Sequence, residues 1–123
     1  KRIIISLVGV STNGISGFLI QIGDSGGLET TGYTSWASAT TSTAGFFITS
    51  TTDAATLGRG VITLVLEDSS DFTWTSFANA VSDVAVISST GSKSLSAELD
   101  RVSITTVSGD TFDAGAINIQ YQS

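Results

Sequence analysis

Cysteine and histidine are both missing from the 123 residues of this chain. Without cysteine there is no disulfide framework, no thiolate metal site and no cysteine nucleophile. Without histidine, Ser-His-Asp catalysis, imidazole metal ligation and a histidine proton shuttle are excluded. We therefore expect no metal site and no cofactor, and the sequence predicts a protein that is not an enzyme.

Charge is also scarce, because only 13% of the residues are charged, and five basic residues stand against eleven acidic ones. The net charge of −6 repels a phosphate backbone, so nucleic acid is not an expected partner. No apolar run approaches the ~20 residues that cross a bilayer as a helix, so membrane insertion is not expected either. Proline is absent, which suits uninterrupted β-ladders.

Apolar and hydroxyl side chains are what the chain has in quantity. Hydrophobic residues make up 41% of it, and 38 of the 123 residues are Ser or Thr. The apolar residues recur with a period of two in short runs separated by turns, which is typical of antiparallel sheets. The sequence predicts one all-β domain over residues 1–123, an antiparallel, jelly-roll-like β-sandwich of eight or nine short strands.

The N-terminal segment carries the strongest strand pattern. Residues 3–10 are apolar on both faces, which suits a central strand or a strand covered by another subunit. The pair Asn13-Gly14 predicts a tight turn. Residues 16–23 alternate between apolar and polar, so we expect a β-hairpin over residues 1–23.

The apolar pattern is less regular after residue 23. Residues 23–43 are expected to be the longest irregular stretch, and a polar loop is expected between residue 50 and Gly60. Trp74 alternates with its neighbours in a clear strand and is assigned to the core. Residues 90–93 are expected to form a turn. A change of apolar phase predicts a bulge or bend near Asp100-Arg101, where Arg101 is expected to pair with a neighbouring acid such as Asp100.

The string Gly23-Asp24-Ser25-Gly26-Gly27 matches the surroundings of the nucleophile in trypsin-like serine proteases. In those enzymes the serine needs a histidine base, and this chain has no histidine. The simpler interpretation is a glycine-rich turn at the end of a strand, in which Asp24 and Ser25 bond nearby amides.

Acidic side chains offer two other kinds of chemistry. Paired carboxylates can hydrolyse glycosides, and hydroxyl-rich acidic loops such as 110–113 or 67–68 can hold a hard cation. Neither run matches an EF-hand loop, and most of the acidic residues fall in predicted turns. Turn carboxylates are typically solvated or bonded to amides, and this is what we expect here.

Tyr33 and Trp36 lie among Ser and Thr residues in the expected irregular stretch. Aromatic rings in such surroundings can stack on the apolar face of a sugar while polar groups bind its hydroxyls. The sequence therefore predicts a ligand-binding loop over residues 24–36, with Tyr33 and Trp36 stacking and Asp24 and Glu29 accepting hydrogen bonds from the sugar. The alternative is that both rings cover one end of the core or a subunit contact.

Several segments taken in order resemble a domain near the C-terminus of bacteriophage tail fibre and tailspike (tail-tip) proteins. The opening KRIIISLVGVSTNG and the run LIQIGDSGGLETTGY at residues 19–33 are similar to that family. The later segments GSKSL at 91–95, LDRV at 99–102 and TFDAGAINI at 111–119 are similar to it as well. The resemblance covers nearly the whole chain and is weakest over residues 34–60.

The resemblance implies a β-sandwich module from the C-terminal part of a longer fibre protein. Such a module is expected to form a homotrimer, to be assembled in the host cytoplasm and to become part of the virion tail. It is expected to attach the virion to a host cell-surface polysaccharide or another surface receptor. Two alternatives stay open, namely a purely structural domain that trimerises or caps the fibre, and an accessory domain of a polysaccharide depolymerase.

Overall fold

The computed structural model describes residues 1–49 and 53–123, and within them the chain is all-β with antiparallel pairing throughout. This confirms the predicted fold class. None of the described residues forms a helix long and apolar enough to cross a membrane. The eleven strands are β1 (Arg2–Thr12), β2 (Phe18–Asp24), β3 (Gly27–Leu28), β4 (Thr34–Ala37), β5 (Thr40–Ser42), β6 (Phe46–Thr49), β7 (Gly58–Asp68), β8 (Thr73–Ser82), β9 (Val86–Ser94), β10 (Arg101–Thr106) and β11 (Phe112–Gln122).

The strands form two sheets. The larger has seven strands in the order β11-β1-β7-β8-β9-β4-β5. In the smaller, β2 pairs with β10 along one edge, and β3 and β6 share its other edge. The count exceeds the predicted eight or nine because the stretch 23–43 contains the short strands β3, β4 and β5. The predicted polar loop falls partly on residues 50–52, which lie outside the described residues.

The core lies between the two sheets and follows the period of two. Ile3, Ile5 and Leu7 of β1 are buried, and their side chains face those of Phe18 and Ile20 from β2. Trp74 is 2% exposed and joins the same cluster, which confirms its assignment to the core. Burial of these alternate side chains is what holds the two sheets together.

The predicted hairpin over residues 1–23 is wrong. β1 pairs with β11 and β7 in the large sheet, whereas β2 belongs to the small sheet. The Asn13-Gly14 segment therefore carries the chain from one sheet to the other. Asp110 fixes this link, because its Oδ2 accepts a hydrogen bond of 2.8 Å from the Ser16 amide.

The bulge or bend predicted near Asp100-Arg101 corresponds to a second passage between the sheets, with bends at residues 96–97. β9 ends at Ser94 in the large sheet, and β10 begins at Arg101 in the small one. We call residues 95–100 the crossover. The expected pairing of Arg101 with Asp100 is confirmed, with 2.7 Å between Nε and Oδ1.

The turn predicted at residues 90–93 is also wrong, because these residues lie inside β9 and pair with β8 and β4. Gly91 is required there for a different reason. A Cβ atom at this position would lie 2.8 Å from the Thr34 carbonyl oxygen and 2.8 Å from the Phe46 ring. The glycine thus permits close packing within the sandwich.

Candidate functional site

The Gly23–Gly27 string forms the tight turn between β2 and β3, as the simpler interpretation predicted. Asp24 Oδ1 accepts a hydrogen bond of 2.8 Å from the Gly26 amide. Gly23 lies so close to the carbonyl oxygen of Gly27 that a Cβ atom there would collide with it. The glycines therefore serve the geometry of this turn.

Asp24 and Glu29 are bonded to the crossover and to β9, in a group that we call the Lys93 cluster. The Lys93 ammonium, whose side chain is 8% exposed, lies 2.5 Å from Glu29 Oε2. Ser96 donates its amide to Glu29 Oε1 at 2.9 Å, and its hydroxyl lies 2.7 Å from Asp24 Oδ2. The cluster thus ties the β2–β3 turn to the chain around residue 95.

The charges and hydrogen bonds of the Lys93 cluster favour the ionised carboxylates. The hydrogen bond from Lys93 is the main reason that the pKa of Glu29 lies below its ordinary value. The Ser96 hydroxyl, followed by the Gly26 amide, lowers the pKa of Asp24 in the same way. Both carboxylates are therefore engaged within the protein, which is a structural role.

Tyr33 is a core residue with 2% of its surface exposed. Its hydroxyl accepts a hydrogen bond from the Ile22 amide at 2.9 Å and donates to the Glu29 carbonyl at 2.9 Å. Its ring packs edge-on against Phe46, with 5.0 Å between ring centroids. Burial raises the pKa of Tyr33 to about 12. The ring therefore covers the core, which is the alternative that the sequence left open, and it offers no face for stacking.

Trp36 lies apart from the other three predicted site residues. It belongs to β4, where Ser35 and Ala37 are buried and point into the sandwich, so the side chain of Trp36 points away from it and is 54% exposed. We call the side of the seven-stranded sheet directed away from the four-stranded sheet the outer face. The structure thus separates Trp36 from the Lys93 cluster.

A second aromatic ring shares one row of the outer face with Trp36. Trp36 pairs with Thr90 of β9, and Thr90 in turn pairs with Phe77 of β8. Phe77 is 47% exposed and pairs with Thr63 of β7. The backbones of Trp36 and Phe77 therefore lie two strands apart, about 10 Å, on either side of a threonine, since neighbouring strands are spaced by ~4.8 Å.

The side chains in this row and in the two adjoining rows of β4, β7, β8 and β9 are uncharged, and charged groups lie at their margin. Glu67 accepts a hydrogen bond from the Thr75 hydroxyl, and Arg2 of β1 lies opposite Val65. The strand registers place one row of small and amide side chains on one side of the two rings and a hydroxyl-rich row on the other. Arg59 lies beyond them and is paired with Asp83 at 3.4 Å. We call this region the Trp36 face, and it consists of Trp36, Thr90, Phe77 and Thr63, with Val61, Asn79 and Ser88 on one side and Val65, Thr75, Ser92 and Thr34 on the other.

Sequence reasoning did not single out Phe77, although the signal was available. With Trp74 assigned to the core, the period of two places residues 76, 78 and 80 inward and Phe77 on the opposite face. Trp36 was predicted in a loop, and the alternation of β4 then gave no information about its orientation.

Comparisons with protein families, with curated proteins and with solved structures found no match to this chain. Among the described residues, no group of three or more acidic, histidine or cysteine side chains is arranged to hold a metal ion. The loop acids considered for a cation bond to the chain itself. Asp113 Oδ1 accepts a hydrogen bond of 2.8 Å from the Ser11 hydroxyl, and Asp68 Oδ1 accepts one of 2.8 Å from the Ser70 amide.

Proposed function

We propose that this chain is an adhesion module of a bacteriophage tail fibre or tailspike, and that it attaches the virion to a neutral glycan on the host cell surface. In this proposal three copies assemble into a homotrimer, and the Trp36 face of each copy is the binding surface. The observation that carries the proposal is the row that brings Trp36 and Phe77 together among uncharged, hydroxyl-rich side chains. The resemblance to tail fibre domains supports the same function.

The chemistry of the Trp36 face suits carbohydrate. An aromatic ring stacks on the C–H face of a sugar ring, and neighbouring hydroxyl and amide groups exchange hydrogen bonds with the sugar hydroxyls. Thr90 lies between the two rings, and Asn79 and Ser92 lie in the adjoining rows. Because the two aromatic residues stand on strands about 10 Å apart, a ligand that contacts both is longer than one sugar unit, so the proposed ligand is an oligosaccharide.

The charge of the protein selects neutral sugars. The Trp36 face itself carries no cationic side chain that would pair with a uronic or sialic acid, and the chain as a whole carries a net charge of −6. An acidic polysaccharide would therefore be repelled. Binding at each site would be weak, and three sites on one trimer would strengthen attachment to a surface through multivalency.

Trp36→Ala tests the binding proposal. Loss of an exposed ring that contributes roughly 1.5–3 kcal/mol of apolar contact is expected to weaken each site about tenfold or more. The readouts are affinity for neutral host polysaccharide and adsorption of the trimer to host cells. Phe77→Ala is expected to weaken binding in the same direction.

Ile15→Ala is the matched control, because Ile15 is 69% exposed but lies in the link between β1 and β2, away from the Trp36 face. It is expected to bind like the unaltered protein. Unchanged glycan affinity in a folded Trp36→Ala variant would overturn the proposed binding surface.

A domain that only trimerises is the second candidate, and one observation favours it. The strand β11 leaves apolar side chains uncovered at one side of the sandwich, as described below. In that case glycan binding would be absent from the unaltered protein, while the oligomer would persist.

A further inference from the structure

The inner side of β11 is left partly uncovered by the four-stranded sheet. Ile119 and Tyr121 pair with Ile5 and Ile3 and therefore point to the same side as these buried residues. Ile119 nevertheless remains 53% exposed and Tyr121 56% exposed. β11 thus extends the large sheet beyond β10, the outermost strand of the small sheet.

Two neighbouring cavities follow from this mismatch between the sheets. One, of about 390 Å³, is lined by Ile3, Leu99, Val102, Ile119 and Tyr121 among others. The other, of about 260 Å³, shares Leu99 and Tyr121 with it. The two cavities adjoin each other at Leu99 and Tyr121. We call the apolar groove lined by Ile3, Leu99, Val102, Ile119 and Tyr121, together with the free edge of β11, the β11 strip.

The charged groups around the β11 strip are already neutralised. Asp100 and Arg101 bond each other at 2.7 Å, and Lys1 pairs with Glu98. The strip therefore presents no excess charge of either sign. A strongly basic or acidic partner would gain little here, whereas a neutral apolar partner fits.

The free edge of β11 is open to pairing beyond its irregular start, since the pairing with β1 is regular from Ala116 to Gln122. No strand of the described residues pairs with it on the side opposite β1. Residues 114–122 contain neither a charged residue nor proline, which are the devices that usually keep an edge strand from adding a neighbour. A long neutral edge beside an uncovered apolar groove is expected to be covered when the protein is assembled.

We propose that a second copy of this chain covers the β11 strip, and that the strip is the surface through which copies associate. The strip supplies both parts of a contact with itself, an apolar groove and an open strand edge.

This inference deepens the assembly part of the proposed function and does not depend on the glycan part. It also changes the location of the contact. The sequence indicated either a central strand or a subunit contact for the two-sided apolar segment 3–10, and β1 is a central strand between β11 and β7, with its inward residues covered within the protomer itself. The uncovered apolar side chains that continue this inner side belong to β11.

The double variant Ile119→Ser with Tyr121→Ser tests the proposal, read by the molar mass from light scattering over a concentration series of the 123-residue chain. The unaltered protein is expected to be oligomeric. The concentration below which the oligomer dissociates is expected to be at least ten times higher for the double variant. Val107→Ser is the matched control, because Val107 is 54% exposed and lies outside the strip. The single variant Tyr121→Ser, at an exposed position, serves if the double variant does not fold.

The outcomes separate this inference from the proposed function. If the unaltered protein is a trimer and the double variant dissociates it, the β11 strip and the proposed trimer are both supported. If the unaltered protein is a dimer and the double variant dissociates it, the strip is supported and the trimer is overturned. A monomeric unaltered protein, or a variant that stays fully associated, overturns the strip. The β11 strip would also be overturned if Phe77→Ser dissociated the oligomer and the double variant did not. Glycan binding per protomer is expected to survive in the strip variant.

Discussion

At the scale of single residues, buried serines of the large sheet differ in whether their hydroxyls are bonded. Ser35 is 2% exposed, and its Oγ accepts a hydrogen bond of 2.8 Å from the Phe47 amide. Ser76 is 1% exposed, but its Oγ has no hydrogen-bond partner within the described part of the chain. Buried polar groups stabilise a fold only when they are paired.

Alanine substitution should therefore affect these two serines in opposite ways. Ser35→Ala leaves the Phe47 amide unpaired in the core and is expected to lower the free energy of unfolding by roughly 1–3 kcal/mol. Ser76→Ala removes an unpaired buried hydroxyl and is expected to leave stability unchanged or to raise it by up to ~1 kcal/mol. Urea unfolding at equal m-values measures both. Equal losses in the two variants would contradict the assignment of their hydrogen bonds.

The residue types alone did not indicate which of the predicted site residues are exposed and which are engaged within the protein. Tyr33 and Trp36 are three positions apart, and only the strand β4 determines that one ring is buried and the other exposed. Asp24 and Glu29 were predicted to be available for a ligand. Their partners Lys93 and Ser96 lie more than sixty residues further along the chain, and no local pattern indicates such contacts.

At the scale of strands, the period of two predicted the fold class but not the pairing. Alternation shows which side chains share a face, and it therefore identified the core positions of β2 and β8, whereas β1 is apolar on both faces and gave no such distinction. It does not show to which sheet a strand belongs. The Asn13-Gly14 turn and the phase change near Asp100 were both interpreted as local features, although in each case the chain passes between the sheets.

The irregular pairing of β1 with β11 gives a prediction at this scale. The register shifts between Val8 and Ser11, where Gly9 and Gly115 both have positive φ, +61° and +92°. A Cβ atom at Gly115 would collide with the backbone of Gly9. Gly115→Ala is expected to destabilise the protein by about 3 kcal/mol or more, because backbone strain and steric overlap combine.

Gly109→Ala is the control for Gly115→Ala. Gly109 has a φ of +86°, but a Cβ atom there meets nothing within 4 Å. Gly109→Ala is expected to lower the free energy of unfolding by only ~1–2 kcal/mol, which is the cost of a side chain on a left-handed backbone. Chemical unfolding of both variants gives the difference, and equal costs would show that the close contact of β1 with β11 does not constrain residue 115.

At the scale of the whole molecule, carboxylates hold together segments that are distant in sequence. Asp110 joins the β10–β11 connection to Ser16, and hydrogen bonds from Ser16 lower the pKa of Asp110. Asp24 and Glu29 do the same for the crossover, and the pKa of each is lowered as well. The folded protein therefore holds these groups ionised more strongly than the unfolded chain does.

Stability should accordingly fall in acid. A lowered folded-state pKa contributes stability that is present above the unfolded values, 3.8 for Asp and 4.5 for Glu, and is lost as the pH falls through the folded values. Without histidine, no side chain has an ordinary pKa between 5 and 8, so melting temperatures are expected to be flat there and to drop below about pH 4.5.

Glu29→Gln checks the origin of this acid sensitivity. The variant leaves the buried Lys93 ammonium without its counterion, so it is expected to be less stable at pH 7. It is also expected to lose less stability than the unaltered protein between pH 5 and pH 3. A variant with the same acid profile would show that Glu29 does not contribute to it.

The pairing of β1 with β11 also determines how the molecule bears tension. Arg2 lies opposite Gln122, so the two ends of the chain emerge side by side from neighbouring strands. A pull that separates these ends would unzip the ladder one rung at a time. A load that enters through the Trp36 face and leaves through one end would cross the sheet from β4 to β1, because Trp36 lies in one row with Thr90, Phe77, Thr63 and Ile4. Such a load would also pull across the strands, so it would be carried by the ladder hydrogen bonds of the intervening strands in series.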